Sequence, residues 1–142
     1  MAEAYDLDRF LKAQADAYDT ALDELKAGRK RSHWIWFVFP QMAGLGHSPT
    51  AQHYGIRSLE EAQAYLAHPI LGARLHECLK ALQLVETNDA REVFGDLDAM
   101  KFRSSLTLFA EADPGDAIIE AALDHWFGGA KDEKTLQLLG RN

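Results

Sequence analysis

The chain has 142 residues, 47% hydrophobic and 26% charged, with 15 Lys and Arg against 22 Asp and Glu for a formal net charge of −7. This composition suits one globular domain spanning residues 1–142 and excludes a largely disordered chain. The acidic balance argues against general nucleic-acid binding, and no apolar run approaches the roughly 20 residues of a membrane helix. The start, from Met1 to Asp6, lacks the cationic and apolar pattern of a signal peptide. A single cysteine, Cys78, rules out an intramolecular disulfide and fits a reducing compartment, so a cytoplasmic location is expected.

Taken in chain order, Leu7, Phe10, Leu11, Tyr18, Ala21, Leu22 and Leu25 fall at helical offsets, and Gly28 stands where a left-handed cap would end that helix. Ser32 to Phe39 is rich in strand-favouring residues, yet no other segment reads as a strand to pair with it. It is therefore expected to be a short buried helix stopped by Pro40. Gln41 to Gly46 reads as a loop. Ser48-Pro49 caps a short helical turn ending at Gly55, and Ser58-Leu59-Glu60-Glu61 is a capping box.

His68-Pro69 breaks that helix, with Pro69 placed to begin the next. There Leu71, Leu75, Cys78, Leu79, Leu82 and Val85 form one apolar stripe. A short helix to Gly95 follows, then one capped by Asp96 that runs to about Ala112. Asp116 is expected to cap a helix ended by Gly128-Gly129, and Asp132 to Leu139 reads as a final short one. The expectation is an all-α, compact, multi-helical orthogonal bundle of seven or eight short helices.

The densest chemistry lies between Gly28 and Gln41. Arg29, Lys30 and Arg31 are the only run of three cations and directly precede His33, Trp34 and Trp36. Guanidinium forks beside flat rings suit a small anion with a planar or apolar body. The plainer reading is a charge cluster at a helix C-terminus next to a core plug. A second candidate is the helix of Lys101, Ser104, Ser105 and Leu108, spaced i, i+3, i+4 and i+7, where an inward lysine needs an anionic partner. Lys101 with Ser105 lacks the order and oxyanion hole of a serine-lysine nucleophile. Gly44-Leu45-Gly46 lacks the trailing elements of a phosphate-binding loop.

Catalysis is left open, with His33, His53 and His68 as acid–base candidates or structural hydrogen-bonders. No histidines stand at metal-ligand spacing, and no metal or cofactor is expected. Cys78 falls on the apolar stripe and reads as core.

The blocks Gly28–Gln41, Gly44-Leu45-Gly46, Ala64–Gly72 and Lys101–Phe109 together resemble the domain-of-unknown-function 1810 family, over about residues 7–139. The resemblance implies an all-helical fold like that of a small mycobacterial protein, and supports a helical Ser32–Phe39. Some members carry a calpastatin label, but no established activity comes with the family. The functional expectation is a basic-aromatic pocket for a small phosphorylated or nucleotide-like anion, with hydrolysis or group transfer as the reaction class to test. It would use Arg29, Lys30, Arg31, His33, Trp34, Trp36, Gln41, Lys101, Ser104 and Ser105. The alternatives are a non-catalytic protein-interaction module or a purely structural domain.

Overall fold

A computed structural model describes residues 5–141, which form nine helices and no strand. They are α1 (Asp8–Lys26), α2 (Ile35–Val38), α3 (Pro49–Tyr54), α4 (Leu59–Ala67), α5 (Leu71–Gln83), α6 (Ala90–Phe94), α7 (Asp96–Ala112), α8 (Ala117–Phe127) and α9 (Glu133–Leu138). The count exceeds the expected seven or eight, although each of the nine falls on a segment the sequence marks as a helix or a helical turn.

Helix α7 is central, packing on α4, α6, α8, α9 and α2, while α5 fills the angle between α1, α4 and α8. Phe102, Leu106, Leu108 and Phe109 of α7 are all essentially inaccessible, so this helix is apolar around much of its girth. Phe102 stacks on Phe94 at 4.5 Å and meets Phe39 edge-on at 4.9 Å, which locks α2, α6 and α7 together. Cys78 is buried on the α5 stripe beside the Tyr18 hydroxyl, and burial pushes its thiol up to about 12. It is an inert core thiol.

The helix ends follow local chemistry closely. Ser48, Ser58 and Asp116 accept backbone N–H groups as N-caps of α3, α4 and α8, and Asp89 and Asp132 do the same for α6 and α9. Gly28 (φ +74°) ends α1: its N–H bonds Leu25 O and that of Arg29 bonds Glu24 O, the paired bonds of a Schellman turn.

Two expected caps are corrected. Asp96 is the first residue of α7 and makes no capping bond; Gly95 holds the N-cap position. Helix α5 begins at Leu71, with Ile70 at its N-cap position, rather than at Pro69, and the His68 ring accepts the N–H groups of Ile70 and Leu71 at 3.1 and 3.3 Å.

The Gln41–Ser48 loop is fixed by an isolated parallel bridge. Ile56 N–H donates to Gln41 O at 2.9 Å and Ala43 N–H to Ile56 O at 2.8 Å. Gly55 makes this approach possible, since a Cβ there would lie 2.8 Å from Ala43 Cα. The bridge holds Gln41 facing the amino-terminal half of α7.

Candidate functional site

The basic-aromatic segment begins where α1 ends, and Glu24 organises it. One carboxylate accepts the Arg31 N–H at 2.8 Å, the Ser32 N–H at 3.0 Å, the Ser32 hydroxyl at 2.6 Å and the Trp34 indole N–H at 2.9 Å. Partial burial alone would raise the Glu24 carboxyl. The Ser32 hydroxyl, the two amides and the indole outweigh it and hold the group down at about 2. Trp34 is thereby pinned, 1% exposed, and no ring face is left for a ligand.

Lys30 also turns inward. Its N–H donates to Val93 O, its ammonium pairs with Asp98 at 2.7 Å and bonds Ser32 O, and it lies 5.0 Å from the Trp34 ring centre. Its side chain is only 6% exposed. Arg29, Arg31 and His33 lie on the surface. The triplet therefore splits: one cation is part of the interior and its two neighbours face solvent.

Asp98, in the first turn of α7, receives a second ammonium. Lys101 approaches it at 3.2 Å and lies 5.2 Å from the centre of the half-buried Trp36 ring. Burial raises the Asp98 carboxyl, but the two lysines together bring it below the usual carboxylate range. Two cations thus share one carboxylate, leaving one net positive charge where α7 meets α2.

Lys101 opens onto a cleft of about 350 Å3. Gln41, Leu45 and Gly46 form one wall, Leu97, Met100, Lys101 and Ser104 of α7 the second, and Asp132 and Lys134 at the start of α9 the third. Ser104 Oγ lies 3.1 Å from Met100 O and 3.2 Å from Asp132 Oδ2. Asp132 also caps α9 through the Thr135 N–H and hydroxyl, and its own N–H bonds the Thr107 hydroxyl. This network seats α9 on α7 and fixes the third wall of the cleft.

Of the residues expected at one site, Gln41, Lys101 and Ser104 line this cleft, and Trp36 borders it through Lys101. Lys30 is joined to it only through Asp98. Arg29, Arg31, His33 and Trp34 do not line it, and Ser105 is buried with its hydroxyl unpaired.

The remaining histidines separate as well. The His68 ring is occupied at the junction of α4 and α5, where it accepts the Ile70 and Leu71 N–H groups. His53 borders a different, polar cleft of about 450 Å3 whose floor is a buried ion pair, Arg9 with Glu61 at 2.9 Å. That pair is closed by structure: Arg9 also donates to the carbonyls of Asp6, His53 and Gly55, and Glu61 accepts the Arg57 N–H. No cluster of three or more metal-ligating side chains occurs among the described residues, and no helix among them is long and apolar enough to cross a membrane.

Glu24, Asp98, Asp132 and Lys134 were not among the expected site residues. Glu24 does leave a trace in the sequence. A carboxylate in the last turn of a helix opposes the helix dipole, so it needs donors from elsewhere, and the chain after Gly28 turns back to supply them. Asp98 leaves none, because an acid in a first turn is favourable by itself.

The family described as Protein of unknown function (DUF1810) matches residues 4–139. The chain is also similar to the conserved hypothetical protein Rv1873 from Mycobacterium tuberculosis, whose crystal structure was determined at 1.38 Å. The two are 51% identical over 97% of this chain and 99% of that one, with a TM-score of 0.94. No curated protein matches.

Proposed function

The chain belongs to the DUF1810 family of proteins of unknown function, and we propose that its Lys101 cleft binds a small ligand bearing a phosphate or similarly compact anion. One observation carries the reading: Lys30 and Lys101 converge on the single carboxylate of Asp98, beside a cleft where Gln41 and Ser104 add polar groups. The surplus positive charge sits on a side chain 29% exposed, close enough to water to be reached and buried enough for its field to be weakly screened. Lys134 stands across the cleft and offsets the Asp132 carboxylate beside it, so the single surplus charge remains, and Leu45, Leu97 and Met100 offer apolar surface to the rest of the ligand. The role is binding rather than group transfer. Ser104 is engaged with Met100 O and Asp132, and none of His33, His53 and His68 lines this cleft.

Titration calorimetry with inorganic phosphate and with AMP tests the reading. A charge-assisted hydrogen bond contributes about 1.5–3 kcal/mol, so Lys101→Met should weaken both ligands by about tenfold or more. Arg31→Ala should leave them unchanged. Equal affinity in the wild type and Lys101→Met would refute the assignment.

A protein-docking face is the second reading. It is favoured by Leu97 and Met100, which are 73% and 67% exposed one helical turn apart on α7. Leu97→Ser with Met100→Ser, which adds no charge, would abolish such docking while leaving Lys101-dependent binding of inorganic phosphate, which needs no apolar wall, in place.

A further inference from the structure

Two buried polar groups lack a partner among the described residues, the Ser105 hydroxyl and the Trp126 indole N–H. Both are enclosed by packing, so neither can serve a ligand. The unpaired groups that a ligand can reach line the Lys101 cleft, and they include acceptors as well as donors.

The charged acceptor belongs to Asp132. Its Oδ2 lies 3.2 Å from the Ser104 hydroxyl and accepts the Thr135 N–H at 3.0 Å and the Thr135 hydroxyl at 2.6 Å. Oδ1 takes no donor and, unlike the Ser105 and Trp126 atoms, is accessible. Because Oδ2 is turned toward α7 and the α9 backbone, Oδ1 is the oxygen left to the cleft that Asp132 walls.

The Gln41 side-chain amide is likewise unpaired and accessible. Its Nε2 would lie 4.0 Å from a Cβ at Gly46, which places the amide along the opposite wall. Lys101 supplies the cation: its ammonium has three N–H groups and spends one on Asp98 at 3.2 Å. Lys101 and Ser104 are three residues apart on α7, so their Cβ atoms are about 5–6 Å apart. Asp132 rests on Ser104, and the free oxygen is therefore about one helical turn from the lysine.

A bare anion would use Lys101 but be repelled by Asp132 Oδ1. A hydroxyl beside the anion turns that repulsion into a charge-assisted hydrogen bond, because it donates to the carboxylate. Gln41 both accepts and donates, as a neighbouring hydroxyl does. The cleft volume of about 350 Å3 is near the lower end of the roughly 300–1,000 Å3 typical of small-molecule sites, which suits a compact ligand.

We propose that the Lys101 cleft takes a phosphate monoester of a polyol, such as a sugar phosphate, with the phosphate on Lys101 and a hydroxyl donating to Asp132 Oδ1. The inference rests on the anion reading of the same cleft and adds what the ligand carries next to its anion. Leu45 and Leu97 cover the C–H faces of the carbon chain.

Glycerol 3-phosphate and propyl phosphate share one carbon skeleton and differ only in hydroxyls, so titration calorimetry with this pair is the test. One hydrogen bond to a charged acceptor should make glycerol 3-phosphate bind about tenfold more tightly, although propyl phosphate is the more apolar of the two. Asp132→Asn keeps an oxygen for the α9 cap and puts an amide in place of Oδ1. It should bring the two affinities to within about twofold of each other, whereas a merely structural Asp132 would weaken both esters alike. Equal affinity for the two esters in the wild type, or an equal loss for both in Asp132→Asn, overturns the proposal. Should Asp132→Asn fail to fold, the wild-type comparison decides alone. Lys101-dependent binding of inorganic phosphate with no preference for glycerol 3-phosphate removes this proposal and leaves the anion reading standing. Failure of inorganic phosphate and both esters to bind removes both.

Discussion

The loop from Arg29 to Trp34 and the cleft beside Lys101 are both assembled from cations next to aromatic rings, yet they use them oppositely. In the loop every inward polar group has a partner: Glu24 takes four donors, Lys30 lies on Asp98 and Ser32 O, and the Trp34 indole is bonded. In the cleft, Lys101 has only a share of Asp98 and an aromatic face, and it is partly exposed. The contrast shows that the density of charged and aromatic residues along a chain locates an organised region. Whether that region can receive a ligand depends on how many of its donors the protein has already satisfied.

Removing the organiser of the loop should have the largest effect. Glu24→Ala leaves the Trp34 indole and the Ser32 donors without an acceptor, and should cost about 3 kcal/mol of stability in urea unfolding. A loss under about 0.5 kcal/mol would erase the distinction between a closed loop and an open cleft, since surface changes stay within that size.

Asp98→Ala comes next because it touches both regions. It strands Lys30, which is nearly inaccessible, and should cost about 2 kcal/mol, less than a fully buried pair because Asp98 is one-fifth exposed. Lys101→Met removes only the outer partner and should cost under about 1 kcal/mol, as exposed pairs do, while abolishing most phosphate affinity. If its stability loss matched that of Asp98→Ala, Lys101 would be a structural residue like Lys30.

Acid should separate the regions further. The Glu24 carboxyl lies at about 2 in the folded chain against 4.5 ordinarily, and Asp98 is shifted in the same direction. A depressed folded value gives stability that is fully present above about pH 4.5 and is lost as pH falls toward 2. Urea midpoints measured from pH 5 to pH 3 should therefore fall, and fall less steeply in Glu24→Gln, which no longer titrates. The smallest effect belongs to the exposed cations: Arg31→Ala should change stability by less than about 0.5 kcal/mol.

Much of the helical framework was legible before any coordinates. The caps at Ser48, Ser58 and Asp116, the stop at Gly28 and the apolar stripe of α5 are local features, set by hydrogen bonds and side-chain spacing within a few residues. The errors were local as well. Gly95 rather than Asp96 holds the N-cap of α7, and α5 starts at Leu71, two residues after Pro69. The candidate site was legible in pieces. Gln41, Trp36, Lys101 and Ser104 stood out by type and spacing, but so did Arg29, Arg31 and His33, which the fold leaves on the surface.

The amino-acid sequence by itself determined the helices, their ends and the apolar faces that make a core, because each arises from neighbours along the chain. Only the tertiary structure decided which cation is internal, which carboxylate it meets and which tryptophan keeps an unpaired N–H. Those outcomes depend on groups such as Lys30 and Asp98, or Gln41 and Ser104, that become neighbours only once α7 has packed against the rest. The energy of a polar group is set by the partners around it in space, and those partners come from distant parts of the chain.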